Sequence, residues 1–192
     1  MGALVAVENR LLLIEVGRSV LHAELLREVL VLLRTCSRGG MGLGVQAQLA
    51  LTLGCSEHRA GELLTGALVL AELPGAVEAL DCGLLTVEQA SAVIDLLQPL
   101  PELVAFEVWH QIKGQLVADA KRSVVRPPAR LRRLITGWVI TADPDGAVQR
   151  RKDRQDEADV DYRRGQDGLV ELFARGLSGP DAHACLSRIR AC

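Results

Sequence analysis

The chain has 192 residues, a formal net charge of −2, 49% apolar residues and only 3% aromatic residues. This length fits one domain, or a small domain with an appendage, and the apolar fraction excludes a chain that is disordered throughout. No apolar run reaches membrane-spanning length and the N-terminus lacks the pattern of a signal peptide, so we expect a soluble, cytoplasmic protein. Five cysteines without a Cys-x-x-Cys pair fit a reducing compartment. The excess of Arg over Lys is typical of bacterial, GC-rich coding.

The first part of the chain predicts three helices. Residues 8–35 form one long amphipathic helix, because apolar residues recur there at three- and four-residue steps. These residues are Leu11, Ile14, Leu21, Leu25, Val29 and Leu32. A glycine-rich break follows at 37–44. A short helix over 45–53 ends at Gly54, a residue suited to a left-handed cap, and Ser56 can cap the helix that follows.

The middle of the chain predicts three further helices. A short one covers 75–82. Thr86 and Gln89 have the spacing of a capping box and open the next helix, which ends near residue 97. Another helix is expected over 102–120, with the apolar residues Leu103, Phe106, Ile112 and Leu116.

The last third of the chain has a different character. A basic linker around Pro127 precedes a helix over 129–140, which Asp143-Pro144 is expected to stop. A very polar helix then covers 147–158. Residues 159–174 alternate around a turn and predict a β-hairpin. A final helix is expected over 180–189.

These elements predict a mainly α protein: a multi-helix bundle with a helix-turn-helix-like segment, followed by a small α+β segment containing one β-hairpin. Residues 1–44 supply the N-terminal helix and a glycine-rich hinge. The helical core occupies 45–120, and the basic linker, Arg-rich helices, hairpin and terminal helix occupy 121–192. Because an isolated hairpin is marginal in water, we expect it to pack on the helices or against further sequence.

One candidate DNA reader is the segment 46–64, which has helix-turn-helix spacing. With the residues that follow, it resembles the DNA-binding region of partition-type proteins. The polar residues at its exposed start that could contact nucleic acid are Ser56, His58 and Arg59. Glu57 and Glu62 lie beside them and would repel phosphates. A helical hairpin that serves only for packing therefore stays open as the alternative.

Charge is distributed unevenly along the chain. Residues 55–107 carry nine acidic residues and one base, whereas residues 121–154 carry ten bases and three acidic residues. Clustered arginines can neutralise phosphates and release counterions. The candidate phosphate contacts are Arg126, Arg130, Arg132, Arg133, Arg150, Arg151 and Arg154. A solvated basic surface, or pairing with the acidic segment, is the alternative interpretation.

No pattern in the chain predicts catalysis or a bound ligand. The four histidines are single and widely spaced, so they lack the convergent arrangement that a zinc site needs. Neither a Gly-x-Ser-x-Gly elbow nor a phosphate-binding loop is present. We therefore expect no enzyme activity, no metal, no cofactor and no small-molecule ligand.

Three stretches carry a family resemblance. They are LALTLGCSEHRAGELLTGALVLAELPGAVEALDCGLLTVEQASAVI at 49–94, RPPARLRRLI at 126–135 and ADPDGAVQRRKDRQDEADVDYRRGQDGLVELFARGLSGPDA at 142–182. In this order the chain resembles domain of unknown function 222, the bacterial 13E12 repeat family. The family pattern has an Asp-Pro, an Arg-rich helix and a hairpin with Asp-Gly at its turn. Asp143-Pro144, Arg150-Arg151 and Asp167-Gly168 match it.

Members of this family often carry a C-terminal HNH endonuclease domain, which holds a divalent metal in a ββα finger. The chain departs from that pattern, because nothing after residue 175 supplies the required His, Asn and Cys-x-x-Cys features. The resemblance therefore implies a truncated member or an excised N-terminal domain, and nuclease activity is not expected of it.

Two functional hypotheses remain. In the first, the chain is a non-catalytic module that binds or targets nucleic acid. The arginines named above would then contact DNA. In the second, it is a protein-interaction or dimerisation domain, in which the acidic 55–107 region of one copy meets the basic 121–154 region of another copy or of a partner. An enzyme with an unrecognised site is a third and weaker alternative.

Overall fold

The computed structural model describes residues 2–39, 44–164 and 167–191. Within these ranges the protein is mainly α-helical, with nine helices and one antiparallel two-stranded hairpin. The chain forms two compact units, residues 1–142 and 143–192. Residues 37–39 of the glycine-rich break expected at 37–44 are helical, whereas 40–43 lie outside the described residues, as does part of the predicted hairpin turn.

The described part of the first unit holds seven helices, and the sequence predicted each of them. Their bounds are α1 Gly2–Gly39, α2 Val45–Leu53, α3 Glu57–Glu72, α4 Ala76–Asp81, α5 Val87–Leu97, α6 Glu102–Lys121 and α7 Pro128–Ala142.

Local signals set the helix boundaries in this unit. Gly54 adopts the left-handed conformation after α2, with φ 60°. Ser56 accepts a hydrogen bond from the backbone N–H of Arg59 at the start of α3. Thr86 and Gln89 form the reciprocal capping box that opens α5. The predictions for these caps are thus confirmed.

An aliphatic core fills the first unit, and α3 supplies much of it. Ala60, Ala67 and Leu70 of α3 are fully buried. Trp109 of α6 is a fully buried aromatic residue of this core, and its indole N–H donates to the backbone carbonyl of Pro74 at 3.0 Å. This bond satisfies a polar group that burial would otherwise leave unpaired, and it holds α6 against the turn between α3 and α4.

The apolar spacing identifies the buried face in the second half of α1, where Val29 is buried and Leu25 and Leu32 pack against the core, but not in the first half. Leu11, Ile14 and Leu21 are exposed, whereas Ala23 and Leu26 are buried. The helix contacts α3 and α4, and Ala23 and Leu26 belong to the same core as the buried residues of those two helices. On α6, similarly, Leu103 and Phe106 are exposed, and the buried residues are Val108, Trp109, Ile112, Leu116 and Asp119.

The second unit contains α8 Pro144–Asp156, β1 Asp159–Arg164, β2 Val170–Arg175 and α9 Gly179–Ala191. Asp143-Pro144, read from the sequence as a stop signal, also starts α8: the Asp143 carboxylate accepts from the backbone N–H of Gly146 at 3.0 Å, and Pro144 occupies the first turn. In the hairpin, Tyr162 lies opposite Leu172. The described helices and strands of this unit contain no buried residue.

Candidate nucleic-acid interface

Helix α7 presents the central arginines of the basic segment. It begins directly after the linker, where Pro128 fits the first turn because its missing N–H would have no helical partner there. Leu131, Ile135 and Val139 recur every four residues and are the buried side chains of the helix. The arginines between them therefore point away from the core.

Arg130 and Arg133 are exposed and three residues apart, so they share one face of α7. Neither guanidinium has a carboxylate within 4 Å among the described residues. The first turn of α7 contains no acidic residue, so the positive end of the helix dipole is not neutralised there. These two cations and the helix N-terminus form a positive surface, which we call the α7 basic face.

Arg132 projects from another side of α7 and is paired. Its Nη2 donates to Oδ2 of Asp95 on α5 at 2.6 Å. Both side chains are about half exposed, so the pair contributes little to stability. It does link the acidic and basic segments within a single chain.

Arg126 is engaged through both its side chain and its backbone. Its Nε and Nη2 donate to the two carboxylate oxygens of Asp119 at 2.7 and 2.8 Å, and the Gln89 amide donates to its carbonyl oxygen at 2.8 Å. Hydrogen bonding from Arg126 holds the pKa of Asp119 below its usual range, although burial of that carboxylate acts in the opposite direction. The same bond raises the pKa of Arg126. Arg126 thus anchors the linker between α6 and α7 to Gln89 of α5 and to Asp119 at the end of α6.

Sequence reasoning missed Asp119, the buried partner in this arrangement. It lies seven residues before Arg126, and the end of α6 and an irregular linker separate the two. Because the chain between them is not a continuous helix, their seven-residue separation does not predict that they are neighbours. The only available signal was an acidic residue on the otherwise apolar side of α6.

In the second unit, α8 carries the remaining candidate arginines. Arg150 donates to Asp143 at 2.8 Å, and both side chains are of intermediate exposure, 18% and 21%. This bond, with a smaller contribution from the Gly146 N–H, lowers the pKa of Asp143. Arg151 and Arg154 are exposed, and neither has a carboxylate within 4 Å in the part of the chain that the structure describes. Arg150 therefore has a local structural role, whereas Arg151 and Arg154 are accessible.

The helix-turn-helix-like unit offers fewer groups to nucleic acid. The Ser56 hydroxyl is used as the cap of α3. The Arg59 guanidinium donates to Glu62 at 3.0 Å, and the exposed His58 imidazole lies 3.5 Å from the same carboxylate. The opposite face of α3 is buried in the core. The structure thus brings Ser56, His58 and Arg59 together in one turn, where the acidic Glu62 accompanies them.

The described ranges contain neither a metal-binding cluster nor a membrane-spanning helix. No three His, Cys, Asp or Glu side chains there come close enough to hold a metal ion. None of the helices in the same ranges is both long and apolar enough to cross a membrane.

Together these features define a mainly α-helical protein with a packed helical unit and a hairpin-containing unit. Two accessible arginines lie side by side on α7, Arg130 and Arg133, and two on α8, Arg151 and Arg154. A family model described as Domain of unknown function (DUF222) matches residues 19–189. The chain belongs to this family. Neither a comparison with curated proteins nor one with solved structures gives a match.

Proposed function

We propose that this protein is a non-catalytic, cytoplasmic module that binds or targets nucleic acid. Its arginines would contact the phosphates of the nucleic-acid backbone. The observation that carries the proposal is the α7 basic face: Arg130 and Arg133 are exposed, adjacent and without a carboxylate within 4 Å among the described residues. Guanidinium groups recognise phosphate with two parallel hydrogen bonds, which suits them to this role.

The accessible pair on α8 supports the same function. Arg151 and Arg154 share one face of their helix, as Arg130 and Arg133 do on α7. All four contacts would go to phosphates, which position a protein on a duplex but carry no sequence information. We therefore propose binding with little sequence preference. In relatives with an HNH domain, such a module would bring the nuclease to its substrate.

The test is the affinity for a fluorescent DNA duplex, measured by anisotropy across a salt series. The Arg130→Gln/Arg133→Gln variant removes both cations of the α7 basic face while keeping side chains of similar length. We expect its affinity to fall at every salt concentration, and its salt dependence to become shallower, because fewer counterions are released. A second variant, Arg151→Gln/Arg154→Gln, tests α8 in the same way.

Arg132→Gln is the matched control. It removes one charge from the same helix, but a charge that is paired with Asp95. It should weaken binding much less than either single substitution at Arg130 or Arg133. Absence of binding at low salt, from wild-type protein shown to be folded, would contradict the proposal.

One observation favours the alternative, a protein-interaction domain. The exposed residues Val7, Leu11, Ile14 and Leu21 recur along α1 at steps of four, three and seven. A helix that is apolar on a solvent-facing side commonly packs against another protein. The occupant that this alternative proposes is a second copy of the chain.

Sedimentation velocity tests this alternative. If α1 mediates self-association, wild-type protein should form a dimer that Leu11→Ser/Ile14→Ser dissociates. Leu103→Ser removes an exposed leucine from α6 and serves as the control. A monomer at high micromolar concentration would exclude α1-mediated self-association.

A further inference from the structure

The hairpin of the second unit has an open edge on each of its two strands. In the described part of the chain, β1 and β2 pair only with each other. All six residues of each strand are exposed. A two-stranded sheet is marginal in water, whereas a sheet of three or more strands with an apolar face is stable. An open edge of this kind can accept a further strand.

One face of the hairpin is largely apolar. Because successive side chains of a strand alternate between its faces, Val160 and Tyr162 of β1 share a face with Val170 and Leu172 of β2. Tyr162 lies directly opposite Leu172. Each of these four side chains is more than half exposed. A second hairpin added at one edge would extend this apolar face across a larger sheet.

The charged residues of β1 are segregated by sign along the strand. Asp159 and Asp161 occupy its first half, and Arg163 and Arg164 occupy its second half. An antiparallel copy of the same strand has the reverse order. The acidic half of one copy would therefore meet the basic half of the other, so the strand is complementary to itself.

Backbone pairing and charge together select one register for this contact. In an antiparallel pair, directly opposite residues direct their backbone N–H and C=O groups either both toward or both away from each other. A strand that pairs with its own copy therefore matches odd-numbered with odd-numbered residues. Centring the contact on Tyr162 places Asp161 of each copy opposite Arg163 of the other. Centring it on any other residue of β1 places two like charges opposite each other, which is destabilising.

The edge of β2 is less suited to this contact than the edge of β1. The two charged residues of β2, Glu171 and Arg175, already lie opposite residues of opposite charge within the hairpin. Asp161 lies opposite Phe173 instead, and it has no cation within 4 Å among the described residues. The Arg163 guanidinium lies 5.6 Å from the centre of the Phe173 ring. Pairing through β1 would supply Asp161 with the cation that its own hairpin does not.

We propose that two copies of this chain associate through their β1 edges and form a four-stranded antiparallel sheet, with a twofold axis at Tyr162. Both copies use the same edge, so this contact closes at two copies. The inference is independent of the α7 basic face and of the exposed residues of α1, since β1 belongs to the other unit.

Charge reversal tests the proposed register in the full chain, with the self-association constant measured by sedimentation. Asp161→Arg and Arg163→Asp each place like charges opposite each other at two symmetric positions. Each single substitution should weaken self-association by about tenfold or more. An equimolar mixture of the two variants should associate as wild type does, because each substituted strand then meets opposite charges on the other.

Asp156→Arg is the matched control. It makes the same charge change at an exposed position of α8, three residues before β1. It should leave self-association unchanged. Equal weakening by Asp156→Arg and Asp161→Arg, or a mixture that associates no better than the single variants, would overturn the proposal.

A second measurement uses wild-type protein and does not depend on how the variants fold. Tyr162 is the only tyrosine of the chain, and the proposed axis places it opposite its own copy. Brief photo-oxidation with a ruthenium complex and persulfate should therefore give a covalent dimer with dityrosine fluorescence, which Asp161→Arg should reduce. Wild-type protein that stays monomeric at high micromolar concentration, or that forms a dimer without dityrosine, would reject pairing through β1.

Discussion

Arg126 shows how one residue type serves different roles in a single basic segment. It has the same charge as Arg130 and lies four residues before it, yet its guanidinium is committed to Asp119. Sequence reasoning grouped both as phosphate contacts, because residue type and local spacing are the same for a paired and an unpaired arginine. Long-range partners decide the difference, and Arg132 and Arg150 are likewise paired.

Asp119→Asn tests the structural role of Arg126. It removes the charged acceptor of both guanidinium hydrogen bonds, and we expect the free energy of unfolding to fall by about 2 kcal/mol. Urea denaturation measures this change. Asp95→Asn, which breaks the exposed pair with Arg132, should cost less than about 1 kcal/mol. Equal costs would show that the Arg126 pair is not specially stabilising.

The lowered pKa of Asp119 also predicts how the free energy of unfolding depends on pH. Because the pKa of Asp119 is lowered on folding, the unfolded chain binds its proton first as the pH falls. The ion pair stabilises the fold fully above the ordinary Asp pKa of 3.8, and this stabilisation is lost as the pH falls below it. The stability difference between wild type and Asp119→Asn should therefore be constant near neutrality and shrink under acid conditions. Urea titrations at several pH values measure it, and a difference that does not change with pH would argue against the pair.

His22 adds a second residue-scale effect of the same sign at milder pH. Burial, with the positive charges of Arg59 and Arg18, lowers its pKa from 6.5. The unfolded chain therefore takes up this proton first, so the fold loses stability as the pH falls below 6.5. His22→Gln should lose less stability than wild type between neutral pH and pH 5, as chemical denaturation can measure.

At the scale of elements, local signals predicted the helices well. The cap of α3 and the capping box of α5 require only neighbouring residues, so the chain itself specifies them. The buried face of α1 was predicted less well. This leucine-rich helix has apolar residues on several sides, and hydrophobic spacing alone does not identify which side meets α3 and α4.

Two glycines test the local rules at this scale. Gly54 has φ 60° and no neighbour that a methyl group would meet, so Gly54→Ala should destabilise by about 1 kcal/mol through backbone strain alone. Gly114 lies inside α6 and also faces open space. Gly114→Ala should stabilise by about 0.5–1 kcal/mol, because alanine favours the helix. Thermal denaturation of both variants checks these opposite signs, and a shift of the same sign in both would contradict the account.

At the scale of the whole molecule, the two units differ in what stabilises them. The core residues all belong to residues 1–142, whereas the described helices and strands of the second unit contain no buried side chain. The mainly α fold and the hairpin were predicted from the sequence. The division after Ala142 has no strong sequence signal, since Asp143-Pro144 joins two helices without a flexible linker.

Residues 1–142 should therefore fold alone. A fragment of this length should unfold cooperatively, with a melting temperature within a few degrees of that of the full chain. Residues 143–192 should lack cooperative unfolding in isolation, because a hairpin and two helices without buried side chains are marginal in water. Thermal melts of both fragments, followed by circular dichroism, test these two expectations. A cooperative transition in the 143–192 fragment would contradict the claim that its described helices and strands form no core.

The salt dependence of DNA binding tests the central claim most directly. Each phosphate contact contributes about 0.9 to the slope of log K against log salt, so Arg130→Gln/Arg133→Gln should reduce the slope by about 1.8. Arg132→Gln should reduce it by less than half as much. That result would support phosphate contacts by the α7 basic face. An unchanged slope in the double variant, or no DNA binding by the folded wild-type chain, would contradict them.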